Sequence, residues 1–144
     1  MKWRKADFWI SDEYDDIDIE FVYRFLAEDS YWSLKIPKDR FLTSISNSLN
    51  FSLYSNDKQV GFARIISDYA TMAYLGDVFI DKEFRGQDLG KWLMDTVMSH
   101  HTLKGLRRWM LATSDAHGLY EKYGFTRLAK PELFMEMHDR SVYR

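Results

Sequence analysis

The 144-residue chain contains no cysteine. Disulfide staples, thiolate nucleophiles and cysteine-ligated metals are therefore excluded, and a reducing cytoplasm is the compatible compartment. Proline is scarce, with two residues. Charge of one sign is not in excess: the formal net charge is −2, which leaves no broad basic footprint for a nucleic acid. No apolar run is long enough to span a membrane. The start, Met1-Lys-Trp-Arg-Lys5, is basic but is followed by Asp7, Asp12 and Glu13 in place of an apolar core, so no secretory leader is expected. The four histidines, His100, His101, His117 and His138, show no metal-ligand spacing, and no metal is expected. No internal repeat stands out.

What the chain does have is apolar and aromatic mass. Hydrophobic residues make up 46% and aromatics 17%, enough for one folded domain over residues 1–144 with a sizeable core. Phe8 to Ser11 reads as a strand and Asp12 to Asp18 as a solvated acidic loop. Asp18 caps a helix running to about Glu28. Ser30-Tyr-Trp-Ser33 breaks the pattern, and Pro37 opens a second helix with Phe41 and Ile45 on one face. Phe51–Tyr54, Gln59–Ile66 and Thr71–Asp81 read as a meander of strands joined by polar turns. A helix follows, to about His101. Leu106–Ala112 is a strand, and Asp115 caps a helix to Tyr123. Gly124 ends that helix in the left-handed conformation. Phe125–Leu128 and Leu133–Met137 read as two closing strands. The order implies an α/β fold with a mixed sheet and helices on both faces.

The chemistry concentrates where the long strand ends. Lys82-Glu-Phe-Arg-Gly-Gln-Asp-Leu-Gly90 is a basic, glycine-bearing turn leading into a helix. Helix N-termini offer unpaired N–H groups and partial positive charge, which suit phosphates. Arg85-Gly86-Gln87-Asp88-Leu89-Gly90 resembles the acetyl-CoA signature of the GNAT N-acetyltransferase superfamily, with Asp88 where that family usually has glycine. Ala116-His-Gly-Leu-Tyr-Glu-Lys-Tyr-Gly-Phe125 resembles the family's second hallmark. The two lie in the family's order, and the resemblance covers nearly the whole chain.

The resemblance implies a GNAT-like, mostly antiparallel central sheet and an acetyl-CoA-dependent acyltransferase. The acceptor implied is a primary amine of a small molecule or a protein, attacked directly in a ternary complex. Arg85, Gly86, Gln87, Asp88, Leu89, Gly90 and Lys91 would cradle the pyrophosphate, the alternative being an ordinary helix capped by Asp88. Backbone at Phe79 and Ile80 would pair with the pantetheine arm in a gap between two splayed strands. Thr113, where the family often has asparagine, and Ala116 would border the cofactor. Tyr120 would be the general acid, the alternative being a tyrosine packed on its helix. Asp77, inside an apolar strand and alternating with Leu75 and Phe79, is either a base or a structural carboxylate bonded to backbone or to an arginine; a water relay is the third option. Tyr31 and Trp32, between the first two helices, would meet the acceptor or pack. A CoA-binding module without turnover and a protein-interaction domain are the rival functions on this fold. A homodimer is left open.

Overall fold

The computed structural model describes residues 1–143. Six strands form one sheet in sequential order: β1 (Lys2–Lys5), β2 (Phe8–Ser11), β3 (Leu49–Ser55), β4 (Lys58–Ser67), β5 (Met72–Ile80) and β6 (Arg108–Leu111). Neighbours from β1 to β5 are antiparallel, and β5 and β6 are parallel. The helices are α1 (Ile19–Arg24), α2 (Lys38–Ser46), α3 (Leu89–Met98) and α4 (His117–Glu121).

Two hydrophobic clusters lie against the sheet. The larger gathers Phe51, Leu53, Ala63, Ile65 and Leu75 with Leu93, Met94 and Val97 of α3 and Tyr120 of α4. The smaller gathers Val22, Leu26, Phe41 and Ile45 of the α1–α2 side with Phe62 and Phe79. The expected mixed α/β architecture is present. Asp18 caps α1 by accepting from the Phe21 N–H at 3.2 Å. The helix then widens into a π-helical turn over Phe25–Asp29, where Phe25 stacks on Phe79 with centroids 3.7 Å apart.

Five features depart from the sequence reading. The first strand, β1, was not legible: Lys-Trp-Arg-Lys is charged at three of four positions, as an outermost strand can be. The acidic loop is not wholly solvated, because Asp12 Oδ2 lies 2.8 Å from Nε2 of buried His100. The N-cap of α4 is Ala116, not Asp115, and no side chain caps the helix; the Thr113 hydroxyl accepts from the Ala116 N–H at 3.1 Å in the turn before it. Phe125–Leu128 and Leu133–Met137 belong to no strand of the sheet. Last, Leu75 and Phe79 do not share a face, because β5 carries a bulge.

The register of β4 against β5 slips between Phe62 and Arg64, so that Phe62 faces Phe79 while Arg64 faces Gly76. Asp77 sits at the slip with φ +51°, in left-handed backbone. A bulge adds a residue to one strand and inverts its alternation beyond that point. Ala73 and Leu75 accordingly pack with α3, whereas Phe79 packs with α1 and α2, and Val78 and Ile80 return to the α3 side.

Candidate active site

The bulge also bends β5 away from its neighbour. The β5–β6 pairing runs from Met72–Arg108 to Leu75–Leu111 and stops there. Past Leu75 the two chains part, leaving a cleft of about 530 Å³ between Tyr74–Val78 on one side and Leu111–Ala116 with Tyr120 on the other. Among the described residues, the edge of β5 beyond Leu75, through Phe79 and Ile80, has no strand beside it on this side.

Tyr31, Trp32 and Ser33, from the loop between the α1 side and α2, cover one end of this cleft. The Tyr31 hydroxyl accepts from the Ser114 N–H at 3.1 Å, so the loop is tied across the mouth to the far wall. Trp32 packs edge-on against Tyr31, with centroids 5.0 Å apart, and its Nε1 donates to Asp77 Oδ1 at 2.6 Å. Both aromatics remain substantially exposed.

Asp77 is buried, and both of its oxygens are engaged. Arg64 Nε donates to Oδ2 at 2.6 Å, and Arg64 Nη1 donates to the Ser48 hydroxyl at 3.1 Å. Arg64, which the sequence reading passed over, thus completes a Trp32–Asp77–Arg64 chain that fixes the bulge. Its signal was present as a cation in the middle of an apolar strand.

Tyr120 is held on α4 at the cleft wall. Burial, with smaller contributions from Tyr31 and Asp115, pushes its hydroxyl up to about 12. The helix turn that follows is closed at Gly124, φ +92°, by bonds from Gly124 N–H to Glu121 O at 3.1 Å and from Phe125 N–H to Tyr120 O at 3.3 Å. This is the paired closure that a left-handed C-cap allows. Thr113 and Ala116 line the cleft, but the Thr113 hydroxyl already accepts from the Ala116 N–H in the turn before α4.

The basic turn lies at the far end of β5. A smaller hollow of about 310 Å³ is bounded by Ile80, Arg85, Gly86, Asp88, Leu89, Gly90 and Lys91, joined by Leu119 and Lys122 from the α4 region. Gln87 is exposed at its side and is not among the lining residues. Lys122 is a third cation that linear order concealed. Asp88 occupies the N-cap position of α3 with φ +60° and makes no side-chain cap. The first-turn N–H groups of α3 are therefore not taken by its carboxylate, and the ordinary-cap alternative loses its main support. A Cβ built on Gly86 meets nothing within 4 Å, which leaves that side of the turn open to a ligand. Arg85 Nε donates to Ile80 O at 3.0 Å, locking the turn to the strand end. Left-handed backbone costs an L-residue about 1 kcal/mol that glycine does not incur. Asp88→Gly is therefore expected to raise stability by about that amount and to tighten acetyl-CoA binding by removing a negative charge. Melting and calorimetric titration measure both; weaker binding would give the Asp88 carboxylate a positive role.

Residues 46–127 match the family model of the acetyltransferase (GNAT) domain. The chain belongs to the GNAT family. A candidate GNAT acetyltransferase from Xanthomonas campestris pv. campestris, known as a crystal structure, is 47% identical. The match covers 94% of this chain and 96% of that one, with a TM-score of 0.92. A candidate acetyltransferase from Gibberella zeae is 28% identical over 144 residues, covering 85% of this chain and 80% of its own length. A Clostridium acetobutylicum structure, described as an acetyltransferase with acetyl-CoA, shares the fold at a TM-score of 0.63 and 15% identity over 96% of each chain. This GNAT protein is accordingly an acyltransferase. Among the described residues, no group of acidic or histidine side chains is placed to hold a metal, and no helix is long and apolar enough to cross a membrane.

Proposed function

We propose that this protein transfers the acetyl group of acetyl-CoA to a primary amine, of a small molecule or of a protein, by direct attack in a ternary complex. One observation carries the reading. The buried Tyr120 hydroxyl and the bulge at Asp77 border one cleft, and the basic helix terminus stands at the end of the same strand edge.

The residues present suit acetyl-CoA. The uncapped first turn of α3, with Arg85, Lys91 and Lys122, would hold the pyrophosphate. The open edge of β5 at Phe79 and Ile80 would pair with the pantetheine amides as an added strand does. Acetyl-CoA supplies the thioester that the amine attacks. Backbone N–H groups at the bulge would meet the charge that develops on the carbonyl oxygen. As the C–N bond forms and the C–S bond breaks, Tyr120 would hydrogen-bond the departing sulfur and supply its proton.

The amine proton needs an acceptor. With both Asp77 oxygens engaged by Arg64 and Trp32, we assign its removal to water in the cleft and assign Asp77 the positioning of the bulge. Tyr31 and Trp32 would wall the acceptor. A cytoplasmic location, where acetyl-CoA is available, accords with this reading.

A thermal melt with and without acetyl-CoA tests it. Ligand at about 100 times its dissociation constant adds ~2.7 kcal/mol, a shift of roughly 5–15 °C for a domain of this size. The shift is expected together with amine-dependent thiol release. No shift at high ligand would remove the cradle, and a shift without thiol release for any amine tried would leave a CoA-binding module.

A further inference from the structure

Three aromatic rings line the transfer cleft and are left largely bare. Tyr31 is 62% exposed, Trp32 40% and Tyr74 37%. They come from two elements. Tyr31 and Trp32 hang from the loop before α2, set edge to face at 84°. Tyr74 stands on β5, and a Cβ built on Gly76 would meet its ring first, at 3.6 Å. The ring therefore leans along the strand toward the bulge. Aromatic rings gain from burial, so three bare ones in one cleft mark a surface that a ligand covers.

The charge of the cleft narrows the ligand. Its charged lining residues are Arg64, Asp77 and Asp115. Arg64 and Asp77 pair at 2.6 Å and cancel. Among the described residues the Asp115 carboxylate has no hydrogen-bond or ion-pair partner; only its N–H is engaged, by the Thr113 hydroxyl. Asp115 follows Ser114, whose N–H the Tyr31 hydroxyl holds. It also helps to push the Tyr120 hydroxyl up, so it stands within electrostatic reach of that oxygen. One uncompensated negative charge thus lies beside aromatic faces. That combination attracts an ammonium and repels a carboxylate.

Such a site works against a monoamine. The attacking nitrogen must be neutral, and holding it as ammonium stabilises the ground state instead of the transition state. A second ammonium on the same molecule keeps its charge throughout and is held without that penalty. We propose that the acceptor is a small aliphatic diamine, with one nitrogen acetylated at the bulge and the other held as ammonium by Tyr31, Trp32, Tyr74 and Asp115. The proposal rests on the transfer reading above and narrows its acceptor. The neutral nitrogen attacks the thioester carbonyl, the C–N bond forms and the C–S bond breaks. The sulfur takes the proton of Tyr120, and the amine proton leaves to water, from which Tyr120 is reloaded. The far ammonium is unchanged. The loop suits a small acceptor better than a folded protein, because it is tied down at both Tyr31 and Trp32.

Thiol release tests the proposal, measured for α,ω-diamines from diaminopropane to diaminooctane, each beside the monoamine and the ω-amino acid of equal length. The best diamine is expected to exceed its monoamine roughly tenfold in kcat/KM at low salt, with the amino acid below both. In Asp115→Asn and in Tyr74→Leu the diamine-to-monoamine ratio is expected to fall severalfold. The basicity of the diamine is the same in every protein, so a changed ratio reports the site. Asp115 is exposed, and its amide is expected to keep the fold. Equal kcat/KM for diamine and monoamine at every length, or a ratio unmoved by Asp115→Asn, overturns the proposal and leaves the transfer reading standing. If no amine releases thiol, the transfer reading falls, and calorimetric titration of the diamines in the presence of CoA decides the ammonium site. Tighter binding of diamine than monoamine, weakened in Asp115→Asn, keeps that site; equal binding removes it.

Discussion

Tyr120→Phe is expected to lower turnover by roughly 10²–10⁴-fold, the usual scale of a general acid, while the affinity for acetyl-CoA stays within about twofold. The substitution removes one oxygen from a buried ring and leaves the packing of α4 in place. At neutral pH a phenol pushed up to about 12 is fully protonated, so the donor is always loaded. The same burial makes it a reluctant acid. Against a thiol near ~8.5, complete transfer is uphill by some 3.5 units, or about 5 kcal/mol. Hydrogen bonding to the sulfur as its charge develops therefore delivers most of the effect, and the lower half of the range is the expectation. Steady-state thiol release gives kcat, and titration calorimetry gives the affinity. Turnover like that of the unmodified protein would take Tyr120 out of the mechanism.

Asp77→Asn should unfold the protein more readily before it says anything about chemistry. The Arg64–Asp77 pair is nearly withdrawn from solvent, with side chains 17% and 7% exposed and 2.6 Å between Nε and Oδ2. Removing one charge strands the other, at a cost of about 3–5 kcal/mol. That corresponds to a fall in melting temperature on the order of 10 °C or more. The Trp32 contact to Oδ1 can persist with the amide. A base would give the opposite pattern, with turnover lost at an unchanged melting temperature. Running the melt and the assay on one sample separates the two roles, and the second pattern would return Asp77 to proton transfer.

Local signals were the ones the sequence displayed well. Asp18 as a cap, Gly124 as a left-handed stop and the polar turns between β3, β4 and β5 each depend on a few adjacent residues, and each appears where it was read. The order of basic turn and helix after β5 was legible for the same reason. Properties that depend on what lies opposite were not. The extra residue at Asp77 is defined only by the register of β4, so period-two counting carried Leu75 and Phe79 to one face when they belong to two cores. Arg64 and Lys122 join the site through folding, across 13 residues to Asp77 and from a different helix to the basic turn. Leu133–Met137, read as the last strand, forms none: Leu133 ends a 3-10 turn and the residues after it join no ladder.

The bulge in β5 also fixes something that no side chain does, the number of residues in the strand. Met72 to Gly76 and Val78 to Ile80 are two phrases in different reading frames, spliced at Asp77. Inserting one more residue between Asp77 and Val78 would reverse the second frame against the first. Phe79 would swing from its stack on Phe25 toward α3, while Val78 and Ile80 turned to the opposite layer. Both interiors would be misfilled by a change that alters no amino-acid type elsewhere. The tally of residues between β4 and the basic turn is thus inherited as strictly as any side chain. Insertions and deletions in this protein belong in its surface turns, not in the strand that serves two cores at once.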